Sequence, residues 1–128
     1  MIRVMKSETL AGELEDHLAQ WSARTGITVE TWALPASDVP ARVSRGVLAV
    51  VREALANVER HSGASTASIA VTAGRGGLRL TVSDNGTGAV PECAGHGMRA
   101  AFAELGGTLS VHGVPGEGTT VTGTLRRW

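Results

Sequence analysis

The chain has 128 residues, 42% of them apolar and 19% charged, with 17 glycines, one cysteine and no tyrosine. That length supports a single domain, residues 1–128, with a real core, and the lone Cys93 excludes an internal disulfide. Twelve basic against twelve acidic residues leave no net charge to attract nucleic acid or an anionic membrane, and MIRVMKSETL is too polar for a signal peptide or a membrane span.

Leu10, Leu14, Leu18 and Trp21 stand three or four apart, which predicts an amphipathic helix from about Glu8 to Thr25, stopped by Gly26. His17 on that helix is expected to face solvent. Ile27 to Leu34 is rich in Ile, Val, Thr and Trp, as a strand is. PASDVP reads as a loop, with Ser37 or Asp38 as the cap of the helix that begins after Pro40. That helix runs from Ala41 to His61 and is closed by Gly63, with Val43, Val47, Leu48, Val50, Val51, Leu55 and Val58 as its apolar positions. Thr66 to Val82 alternates twice around GRGG, a hairpin signature in which Gly74, Gly76 and Gly77 supply the turn. A glycine-rich loop spans Asp84 to Gly97, and a short helix spans Met98 to Leu105. The end, TLSVHGVPGEGTTVTGTLRRW, reads as a second hairpin turned at Pro115 to Gly118, with Gly113, Gly116 and Gly118 as turn glycines. The element order predicts an α/β fold, a two-layer sandwich with helices on one face of the sheet.

Three constellations can carry chemistry. Glu53, Asn57 and His61 fall at i, i+4 and i+8 on the long helix, a spacing that aligns them in one stripe. A carboxylate there accepts a proton, and an amide oxygen one turn away binds a hard cation such as Mg²⁺ without adding charge. The plainer reading is a solvated helix face. Asp84-Asn85-Gly86-Thr87-Gly88 directly follows a strand. It is either a simple turn or a pocket in which the Asp accepts a hydrogen bond from an amino group and the glycines admit a flat ring. Gly95-His96-Gly97-Met98 precedes a helix, where backbone N–H groups can bind phosphate. No P-loop occurs, since the only lysine is Lys6, and Cys93 has no basic neighbour in sequence to activate it.

Taken together and in order, these pieces resemble the ATP-binding (Bergerat) fold shared by gyrase, Hsp90, sensor histidine kinases and MutL. The similarity is strongest to the catalytic domain of sensor histidine kinases of the NarL-partner, DesK-like subfamily. It is carried by REALANVERHSGAS (residues 52–65), DNGTG (84–88), GHGMRAAFAELGGTLSV (95–111) and PGEGTTVTGTL (115–125), with LAQWSARTGITVE upstream. The resemblance implies a mixed sheet with helices on one face, and a cytoplasmic domain that uses ATP and Mg²⁺. It implies Glu53 as the general base and Asn57 as the Mg²⁺ ligand, with Arg60 and His61 near the phosphates. Asp84 would bind the adenine amino group, and Gly86 and Gly88 would shape the pocket. Gly95, His96 and Gly97 would border the lid over the triphosphate, and Thr119 would lie near the base.

The reaction implied is transfer of the γ-phosphate to a histidine on a dimerisation domain, with a response regulator as the indirect partner. A free-standing serine kinase of the anti-sigma type, or a non-catalytic nucleotide-binding module, are the other readings of the same fold. This sequence departs from the family in two places. GHG runs straight into Met98-Arg99 where Leu-x-Gly usually intervenes, either through a three-residue deletion after Gly97 or because Gly97 is itself the last glycine. And His17 follows Asp16, the reverse of the family's His-Asp or His-Glu pair, so the phosphoacceptor is expected outside this chain.

Overall fold

The computed structural model describes residues 9–36, 38–88 and 95–126, with the backbone alone at residues 61 and 62. Helix α1 (Leu10–Thr25) begins where the Thr9 hydroxyl accepts the Gly12 N–H at 3.0 Å, and ends at Gly26, whose N–H reaches back to the Ser22 carbonyl. Its buried stripe is Leu10, Leu14, Leu18 and Trp21, as their spacing predicts. His17 does not face solvent as expected. It is half-buried at the edge of this stripe, and its Nε2 is buried without a hydrogen-bond partner among the described residues.

Helix α2 (Ala41–Asn57) buries Val43, Val47, Val50, Val51, Ala54 and Leu55 along one side. Its N-cap is Pro40, which offers no side-chain cap; Asp38 is not the capping residue, and Ser37 lies outside the described residues. The α-helix also stops earlier than the apolar pattern predicts. At Val58 the N–H is shared between the Ala54 and Leu55 carbonyls, the winding loosens, and Val58–Ser62 form a π-helical turn closed by Gly63. Apolar periodicity cannot distinguish the two windings over a single turn, because Val58 is buried in either.

Strands β1 (Thr28–Ala33), β2 (Thr66–Gly74), β3 (Gly77–Asp84), β4 (Thr108–Val114) and β5 (Gly118–Leu125) form one mixed sheet in the order β1-β2-β3-β5-β4. β1 runs parallel to β2, with α2 as the crossover, and every other pairing is antiparallel. Strict alternation sends Ala67, Ile69 and Val71 of β2, Leu78, Leu80 and Val82 of β3, and Val121 and Leu125 of β5 into the core. There they meet α1, α2 and helix α3 (His96–Glu104), whose Phe102 is fully buried. Each such side chain contributes about 1.5–3 kcal/mol by leaving water. The result is the predicted two-layer sandwich with its helices on one face. The edge strand β1 carries a bulge between Thr31 and Ala33 with Trp32 exposed, a device that discourages pairing with another sheet.

The turn glycines are sorted differently from the sequence reading. The first hairpin turns at Arg75-Gly76, and of its three glycines only Gly77 has positive φ; in the second, Gly113 lies inside β4 paired with Thr119. Helix α3 starts two residues earlier than expected, with Gly95 as its N-cap and Gly97 inside its first turn.

Candidate nucleotide-binding site

The site is assembled at one end of the sheet. Asp84 is the last residue of β3 and is half-buried; its Oδ1 accepts the Gly86 N–H at 2.8 Å, which curls the chain immediately after the strand. Asn85 is a clip that sequence reasoning passed over. Its Oδ1 accepts the N–H groups of Ser65 and Thr66, both at 3.0 Å, and its Nδ2 donates to the Ser65 hydroxyl. These bonds tie the DNGTG loop to the segment that leaves the π-turn. Asn-Gly as a common turn pair hid this role, because an amide bridging 20 positions leaves no local periodic signal.

The other wall comes from the β4–β5 hairpin. Gly118 has φ +126°, and a Cβ there would stand 1.9 Å from the Asp84 carbonyl oxygen; Gly88 has φ +77°, and its Cβ would stand 2.1 Å from the Val114 carbonyl oxygen. No side chain fits either gap. The two backbone approaches, together with the Gly116 N–H donated to the Thr87 carbonyl at 2.8 Å, lock the DNGTG loop onto the hairpin. Thr119 follows Gly118 directly and is therefore held beside Asp84, while the Ser83 and Thr120 hydroxyls pair across the strands at 3.2 Å. Three segments far apart in sequence thus converge: residues 63–66, 84–88 and 114–120.

On α2, Glu53 is exposed and Asn57 half-buried, so the plainer reading of a solvated face holds for the carboxylate. The residue that joins them is Arg60. Its Nη2 donates to Glu53 Oε2 and to Asn57 Oδ1, each at 3.1 Å. The i, i+4, i+7 relation puts all three on one helical face. His61, the residue predicted for that stripe, lies within the π-turn, and its side chain falls outside what the structure describes. The adjoining Glu59 turns the other way and forms a two-pronged ion pair with Arg24 of α1, at 2.8 and 3.1 Å. That bond and the Arg24 charge hold the Glu59 carboxyl below its ordinary pKa and raise Arg24.

At α3, Gly95 is buried with φ +89°, and the Arg99 N–H donates to its carbonyl at 2.7 Å. The N–H groups of His96, Gly97 and Met98 precede the first intrahelical bond and point off the helix start. His96 and Gly97 are exposed. Glu92, Cys93 and Ala94, and with them the stretch where a lid would lie, fall outside the described residues.

With this geometry in hand, comparison with known proteins is direct. Residues 42–128 match the family described as histidine kinase-, DNA gyrase B- and HSP90-like ATPases, and the chain belongs to that family. Sensor histidine kinase MctS of Rhizobium johnstonii is 37% identical over 87 residues, covering 67% of this chain and 19% of MctS. Nitrate/nitrite sensor protein NarX of Escherichia coli is 39% identical over 63% of this chain and 14% of its own length, in keeping with the NarL-partner subfamily. Among solved structures, the histidine kinase domain of a blue-light activated kinase from Erythrobacter litoralis superposes with a TM-score of 0.74 at 25% identity, over 92% of this chain and 61% of that one. The ATP-binding domain of PrrB from Mycobacterium tuberculosis gives 0.61 at 21% identity, over 90% of this chain and 94% of that one. The chain is thus a domain of this ATPase family, similar in sequence and fold to sensor histidine kinase domains, and it spans less than a quarter of the length of MctS or NarX. Among the described residues, no helix is long and apolar enough to cross a membrane.

Proposed function

We propose that this domain binds ATP with Mg²⁺ and passes the γ-phosphate to a histidine on a dimerisation domain outside the chain. The observation that carries the reading is the convergence of Asp84, Thr119 and the DNGTG loop through backbone contacts only glycine allows. Asp84 presents a carboxylate oxygen to the adenine amino group, Gly86 and Gly88 admit the ring, and Thr119 flanks it. The N–H groups at the α3 start, around Gly95, His96 and Gly97, take phosphate oxygens, as do Arg60 and His61.

The donor set fits a metal of modest protein demand. Glu53 and Asn57 already direct one oxygen each at a single cationic nitrogen, 3.1 Å away. No group of three or more His, Cys, Asp or Glu gathers elsewhere among the described residues. Asn57 would hold Mg²⁺ together with the phosphates, the usual arrangement for that ion, and the ion supplies neutralisation of phosphate charge. Phosphoryl transfer breaks the bond between the γ-phosphorus and the bridging oxygen and forms a phosphorus–nitrogen bond on the acceptor imidazole, with ADP leaving. Glu53 takes the proton of the acceptor's other ring nitrogen, and its exposure on the outer face of α2 leaves it open to an incoming domain. Sensor kinases among the relatives favour this acceptor over the serine of an anti-sigma partner.

The test is calorimetric titration with ATP, with and without Mg²⁺. The wild-type chain is expected to bind in a Mg²⁺-dependent manner, and Asp84→Asn to lose binding while keeping its fold by circular dichroism. An Asp84→Asn variant that binds ATP as the wild type does would refute the adenine role. Absence of any wild-type binding at millimolar ATP would remove the whole reading.

A further inference from the structure

The metal-side oxygens of the site are not idle in the nucleotide-free protein. One nitrogen, Arg60 Nη2, donates at 3.1 Å to both Glu53 Oε2 and Asn57 Oδ1. Among the described residues these two are the hydrogen bonds of Arg60, and the adjoining Glu59 adds only a longer-range attraction. A guanidinium and a divalent cation cannot share these oxygens, because Mg²⁺ needs its ligands at about 2.0–2.1 Å and like charges repel at such separations. From this geometry we propose that Arg60 is an internal counter-cation: it occupies the metal side of the site at rest and must leave Asn57 and Glu53 when the Mg²⁺–nucleotide complex binds. It thereby sets how strongly nucleotide binding depends on Mg²⁺. The inference rests on the reading of Asn57 as the metal ligand.

Two further features make the release feasible. The Arg60 and Glu53 side chains are 54% and 49% exposed, so the pair is soft and its rupture exposes no buried charge. The neighbouring Glu59 already has both carboxylate oxygens engaged by the Arg24 guanidinium, at 2.8 and 3.1 Å. Release of Asn57 and Glu53 thus requires only rotation of the exposed Arg60 side chain, with the Glu59–Arg24 pair left intact.

The experiment measures coupling between ligands, which needs no turnover. ADP is titrated calorimetrically into the full chain in EDTA and at several Mg²⁺ concentrations, and the factor by which Mg²⁺ tightens ADP is compared between wild type, Arg60→Gln and Arg60→Lys. Loss of the competing cation is expected to raise that factor about two- to five-fold in Arg60→Gln, the range an exposed ion pair supports, through tighter ADP binding at saturating Mg²⁺; a rise that comes only from weaker ADP binding in EDTA reports a lost phosphate contact and overturns the proposal. Arg60→Lys, which keeps the charge, should stay near wild type. Mn²⁺ binding in the presence of ADP, followed by electron paramagnetic resonance, should tighten in parallel. A coupling factor that is unchanged or smaller in Arg60→Gln overturns the proposal while leaving the nucleotide site intact. A wild-type protein that binds no ADP under either condition removes the nucleotide reading and this inference together.

Discussion

At the scale of single residues, the site depends on places where a side chain is forbidden as much as on those that carry one. Gly118 is the sharpest case. Its φ is +126°, and a Cβ placed there would collide with the Asp84 carbonyl oxygen, which leaves no room for even a methyl group. Gly118→Ala is expected to cost about 1–3 kcal/mol for the backbone conformation alone, and to push Asp84 and Thr119 apart. Urea denaturation should show the stability loss, and ATP titration a weaker affinity than the stability loss explains. Unchanged affinity in a destabilised variant would mean that Asp84 is positioned by β3 alone. Asp84 itself was legible in the sequence as an acid at a strand end followed by glycines. That Gly118, 34 positions on, is what holds its carbonyl in place was not, since a contact between strand ends has no sequence period.

At the scale of elements, the joints between them decide the geometry. Asn85 accepts two backbone N–H groups and donates to the Ser65 hydroxyl, so it fastens the β3 loop to the start of β2. Asn85→Ala removes bonds at an exposed site, where water takes over the N–H groups, and is expected to destabilise the chain by about 0.5–1.5 kcal/mol, measured as a lowered denaturation midpoint. Asn85→Asp, which keeps an acceptor oxygen, should recover most of that loss. A second joint is the passage from α2 to the π-turn. The seven-residue spacing of Glu53 and Arg60 is in the sequence, whereas the i, i+4, i+8 stripe that adds His61 assumes an unbroken α-helix, which ends at Asn57. In the structure Arg60, at i+7 from Glu53, is the residue that joins Glu53 and Asn57.

At the scale of the whole molecule, α1 closes the core and carries its pH response. His17 sits half-buried between α1 and α2. Burial first, and then the positive charges of Arg52 and Arg24, keep its pKa below the ordinary 6.5. The unfolded chain therefore binds the proton more readily than the folded one between the depressed value and 6.5. Stability is fully present above that window and falls as pH drops through it. Chemical denaturation at pH 8 and pH 5.5 should show this decline in wild type and a smaller one in His17→Gln. Equal declines in the two proteins would show that His17 is not the responsible group. The amphipathic period that buries Leu14, Leu18 and Trp21 was plain in the sequence. The same period also predicted His17 as exposed, because it reports the mean direction of a helix face and not how far a neighbouring helix overlaps its edge.

The sequence by itself determined the element order, the strand alternation, the core residues and the ordered set of motifs that place the chain among histidine kinase-type ATPases, because each is written in local periods or fixed spacings. Only the tertiary structure decided how those motifs meet. The glycine surplus became two backbone gaps that hold Asp84 and Thr119 together, Asn85 became the clip between loop and sheet, and Arg60 became the cation seated on Glu53 and Asn57. Each of these is a contact between groups on different turns or strands, set by how helices wind and sheets close rather than by any pattern along the chain.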